Sequence, residues 1–67
     1  MIQQPTYKVI FRQDDAMART ILILRVSEYL DEQQLNDKYV NLYANEHEVV
    51  VVVNDRDTAI KLKLALA

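Results

Sequence analysis

The pattern of apolar and polar positions assigns an element to each stretch of the chain. Tyr7, Val9 and Phe11 alternate with Lys8, Ile10 and Arg12, and this period of two in aromatic and β-branched residues predicts a strand over 6–12. Pro5 stands just before it, where a missing N–H is tolerated. Gln13, Asp14, Asp15 and Ala16 carry turn chemistry, and a β-branched run resumes over 19–26. The four apolar residues at 21–24 leave no clean helical stripe, and Arg19 and Arg25 bracket them as charges flank exposed strands. A first hairpin is therefore favoured. The rival is an amphipathic helix entered at Asp14 or Asp15 and helped by Ala16, Met17 and Ala18.

Ser27 is a good N-cap type, followed by acids and strong helix formers, so a short helix is predicted over 27–37 with Tyr29 or Leu30 and Leu35 facing inward. A second alternation places Val40, Leu42 and Ala44 opposite Tyr39, Asn41 and Tyr43. The polar break at 45–48 makes it the first arm of a second hairpin, whose other arm is the five valines at 49–53. Such a strand is apolar on both faces, so both faces need a cover: a helix, another subunit, or one of each. The last stretch alternates Ile60, Leu62, Leu64 and Leu66 like a strand, yet its alanines and the capping acids Asp55 and Asp57 predict a helix over 58–67. The whole is a single α+β domain, residues 1–67, with a four-stranded, mostly antiparallel sheet and two helices in the order ββαββα.

Composition sharpens this in three ways. A chain of 67 residues buries only about 60% of the surface its unfolded form exposes. Without cysteine, and with one histidine, disulfides and a zinc centre are unavailable as props, which leaves close packing and self-association into a homo-oligomer. There is no glycine, so the asparagines and aspartates at 14, 15, 45, 54 and 55 are expected to take the tight turns. The opening residues 1–5 lack the charged and apolar parts of a secretion signal, and no apolar run approaches the ~20 residues of a membrane span. A cytoplasmic location is the expectation.

Ten acidic against eight basic residues, a net charge of −2, weigh against general phosphate neutralisation, though not against a local basic patch. Lys8, Arg12, Arg19 and Arg25 would share the first hairpin, and with Tyr7 or Phe11 they form the alternative reading, a single-stranded nucleic-acid surface. Glu46-His47-Glu48 has metal-ligand types, but adjacent residues point apart and one loop rarely completes a coordination sphere. Capping and turn roles account for Asp14, Asp15, Asp55 and Asp57 more simply than magnesium does. Ser27 and the threonines have no base beside them, and phosphate loops need glycine. No catalytic, cofactor-binding or metal residues are therefore assigned, and no enzyme activity is expected. Tyrosine is enriched where proteins meet, so Tyr29, Tyr39 and Tyr43, with Leu62 and Leu66 on the wide apolar arc of the last helix, are the candidate interface.

The ending, a β run followed by Asn54-Asp55-Arg56-Asp57-Thr58-Ala59-Ile60-Lys61-Leu62-Lys63-Leu64, resembles the close of short tailed-bacteriophage proteins, in which an acidic turn leads into a helix of Asp-Ala-x-x-Phe-Lys-Leu type. Here Leu62 takes the aromatic position. The resemblance implies a small phage-encoded protein that modulates its host through protein contacts in the host cytoplasm, with an acidity suited to a basic partner surface.

Overall fold

The computed structural model describes residues 5–67; the absence of a secretion signal was read mainly from residues 1–4, which lie outside the described residues. The order of elements is β1 (Tyr7–Arg12), α1 (Ala16–Glu32), a single 3-10 turn (Asn36–Lys38), β2 (Tyr39–Ala44), β3 (Glu48–Val53) and α2 (Arg56–Leu66). The three strands form an antiparallel sheet in the order β1-β3-β2. The α+β class, the number of helices and the terminal helix are as expected, but the first helix, expected over 27–37, lies at Ala16–Glu32, and among the described residues the sheet has three strands and the order is βαββα.

The missing fourth strand is the first half of α1. Residues 19–26, expected as a strand, and Ser27, expected as an N-cap, lie within one 17-residue helix. Asp15 starts it: its carboxylate accepts from the Ala18 N–H at 2.8 Å, which satisfies one of the amides that a helix leaves free at its N-terminus. From there to Glu32 no glycine or proline interrupts the chain, and Leu22, Val26 and Leu30 recur every fourth residue on one face. The run at 21–24 hid that stripe because Ile21 and Leu24 point to solvent.

α1 ends in paired bonds, Gln34 N–H to Asp31 carbonyl at 3.1 Å and Leu35 N–H to Leu30 carbonyl at 2.8 Å, with Leu30 and Leu35 both packed into the core. The turn requires a left-handed residue, and in a chain without glycine Gln34 supplies it at φ 56°. The expected Asn and Asp turn positions do not: among the described residues Gln34 alone has positive φ. The short polar side chains act as caps instead, as when the Asn45 carboxamide oxygen accepts from the N–H groups of His47 and Glu48, both at 2.9 Å.

β3 lies between the other two strands, and all five valines are buried. Val49, Val51 and Val53 face both helices and join Val9, Phe11, Val26, Leu30 and Leu62 in one core. Val50 and Val52 face the other way, where among the described residues no element lies over them. They are 4% and 9% exposed, with Ile10 and Tyr43 flanking the first and Lys8 and Asn41 the second. A bulge at Val40 separates the pairings Tyr39–Val53 and Asn41–Val52. It reverses the alternation at one end of β2, so Tyr39 meets the helix side beside Val26 and Leu30 while Tyr43 pairs with Val50 on the open side. The two tyrosines, expected on one face, are on opposite faces.

Candidate functional site

The sheet's two edges differ. β1 is covered: α2 packs along it, and Lys63 reaches across the Phe11 ring, 4.9 Å from its centre, to donate to the Ile10 carbonyl. β2 is not covered. Its six residues include no charge and no proline, the usual devices that keep an edge from pairing with another chain. Tyr39, Val40 and Tyr43 are exposed along it, and only Leu42 is partly withdrawn. The Leu42 N–H bonds to the Asn41 side chain at 2.9 Å and so points away from β3. That donor is therefore occupied by a side chain, which a new strand would have to displace; the other outward main-chain groups of this edge alternate with those turned toward β3.

Of the other expected interface residues, Tyr29 and Leu66 are half-buried against the core, and Leu62 is fully buried beneath α2. Leu62 therefore faces the sheet and is not available to a partner. The four basic residues of the nucleic-acid reading do not form one surface. Lys8 lies on the open sheet face with Ile10, whereas Arg12, at the end of β1, and Arg25, on α1, line one groove at the helical layer. Arg19 is occupied: its guanidinium donates to the carbonyls of Gln13 at 3.0 Å and Asp14 at 2.8 Å, and also to that of Glu46. It ties the β1–α1 turn to the β2–β3 turn, helped by the His47 ring nitrogen Nδ1, 2.9 Å from the Asp14 carboxylate. Backbone carbonyls leave no mark in a sequence, so this clasp was not foreseeable.

His47 thus contacts Asp14 rather than Glu46 or Glu48, and among the described residues no three acidic or histidine side chains converge as a metal site. Asp15 and Asp55 are both helix caps. Asp55 accepts from the Thr58 hydroxyl at 2.8 Å and from its N–H at 3.0 Å. Those two bonds hold its carboxyl below the ordinary carboxylate value, with a smaller pull from Lys38 and Lys61. A carboxyl depressed in the folded state adds stability above its unfolded pKa of about 3.9, and this is lost as pH falls through the folded value. Asp55→Asn keeps a capping oxygen but removes the titration, so its stability should fall less steeply than wild type below about pH 4. Parallel slopes in denaturant midpoints across that window would count against this assignment.

The class defined by these features is a small two-layer α+β domain with two helices on one face of a three-stranded antiparallel sheet and an open edge at β2. No family model, curated protein or solved structure matches the chain.

Proposed function

We propose that the chain is a small non-enzymatic binding protein that acts through protein contacts, with a second copy of itself as first partner, joined along β2. The observation that carries this is the uncharged, uncovered β2 edge with Tyr39, Val40 and Tyr43 exposed beside it. Antiparallel pairing of two β2 strands about a two-fold axis would extend the sheet to six strands and bring Val40 of each copy near Tyr43 of the other. The small core supports the same reading, because association supplies burial that a 67-residue chain lacks on its own. Under this proposal, and in line with the resemblance of its last segment to phage proteins, a host protein would be recognised by the same edge.

Light scattering tests it. A mass of twice 7.8 kDa is expected, falling to one chain in Tyr43→Lys and Val40→Lys variants that keep their circular dichroism. A wild-type mass of one chain at submillimolar concentration would exclude self-pairing.

A further inference from the structure

α1 is apolar on two sides. One side, Val26 and Leu30 with Leu22 and Ile23, packs on the sheet. The other carries Met17, Ile21 and Leu24, which are 71%, 51% and 59% exposed. Their spacing of four and three residues makes them a continuous stripe along the outside of the helix, ending at Glu28 one turn beyond Leu24. A helix with apolar residues all round is normally covered on all sides. Among the described residues nothing covers this stripe.

Beside it lies a groove of about 460 Å³ between α1, the end of β1 and the C-terminal turn of α2. Phe11, Leu22 and Leu66 supply its apolar surface, and Ile21 belongs to both groove and stripe. Arg12, Arg25 and Lys63 stand around it, and no acidic side chain lines it. Among the described residues none of these three cations has a carboxylate within ion-pair distance. Lys63 is already committed to the Ile10 carbonyl and the Phe11 ring, and lies in the last turn of α2; the two guanidiniums have no such duty. Two arginines without a carboxylate partner among the described residues are therefore placed next to an apolar helical stripe in a chain whose net charge is negative.

We infer that this face of α1 docks an acidic amphipathic helix, whose apolar side lies on Met17, Ile21 and Leu24 and whose flanking Asp or Glu residues reach Arg12 and Arg25. The stripe matches the i, i+4, i+7 anchors of helix-in-groove recognition, and a guanidinium takes a carboxylate through two parallel N–H bonds. Charge complementarity selects this occupant over a basic helix. The surface lies on the helical layer, away from the β2 edge, so it stands or falls independently of self-pairing.

The probe is a fluorescein-labelled synthetic peptide about four helical turns long, with leucines on one face and glutamates beside them, compared with its lysine-for-glutamate analogue. Anisotropy titrations of the full chain are expected to show saturable binding of the acidic peptide, weakened by added salt, and little binding of the basic one. Arg25→Glu and Ile21→Asp, both surface changes, should each weaken it by at least about tenfold, whereas Tyr43→Lys should leave it unchanged. Equal binding of the two peptides, or no binding of the acidic one, would overturn the proposal. So would loss of self-association in Ile21→Asp but not in Tyr43→Lys, which would make a second copy the occupant of the stripe.

Discussion

Leu62→Ala is expected to remove about 2–5 kcal/mol of stability, the range for emptying a buried leucine site. Leu62 is fully buried and is the point at which α2 meets the Val9, Phe11 and Val51 side of the sheet. A domain of this length holds in total about 3–10 kcal/mol, at ~0.05–0.15 kcal/mol per residue, so the loss takes a large part of it. Urea titration by circular dichroism should show the midpoint shifted far down, or a chain already partly unfolded without denaturant. Leu64→Ala, at a position 80% exposed in the same helix, is the control and should shift the midpoint little. Similar losses in the two variants would mean that α2 does not sit on the sheet with the face described.

Arg19→Met is expected to be the next most damaging change among those considered, at about 1–3 kcal/mol. Its guanidinium bonds three carbonyls on two turns that are distant in sequence, Gln13 and Asp14 on one side and Glu46 on the other. Methionine preserves most of the length of the side chain and removes only the donors, so the shift reports the clasp rather than packing. All three bonds leave one terminal nitrogen, so Arg19→Lys, whose ammonium carries three donors on one nitrogen, should restore part of the loss. Hydrogen exchange gives the specific signature: the amides of Gln13, bonded to the His47 carbonyl, and of His47 should lose protection in Arg19→Met before those of Val51. Uniform loss of protection would show that Arg19 acts through general stability.

The elements that could be read from the sequence were those in which burial alternates cleanly or a cap marks an end. Val9 and Phe11 against Lys8 and Arg12, the valines of β3, and Asp55 before α2 all belong here. α1 was misread between 19 and 26 for a reason connected with the candidate helix-docking surface. Ile21 and Leu24 are apolar where a helix of an isolated domain would be polar, and these two side chains erased the amphipathic signal from Leu22, Val26 and Leu30. Similarly, one inserted residue at Val40 was enough to separate Tyr39 from Tyr43, and a bulge of that kind has no pattern of its own in a β-branched run. Leu62 was nominated for an interface because a helix with a wide apolar arc does not declare which part of the arc faces the core. The placement of Arg25 with Arg12 around one groove depends on α1 being a helix, which a strand over 19–26 does not produce.

The central place of β3 also governs how the chain can come together. β1 is made before β3 and pairs with it across about two thirds of the chain, Tyr7 opposite Val53, and among the described residues has no other strand beside it. The β2–β3 hairpin closes over only a few residues and forms locally, whereas β1 and α1 can bury their apolar faces only after the valines of β3 are available. Loop-closure entropy makes the long-range pairing the later and slower step. On a ribosome, the first half of this protein would emerge with its apolar residues exposed and wait for the strand that shelters them.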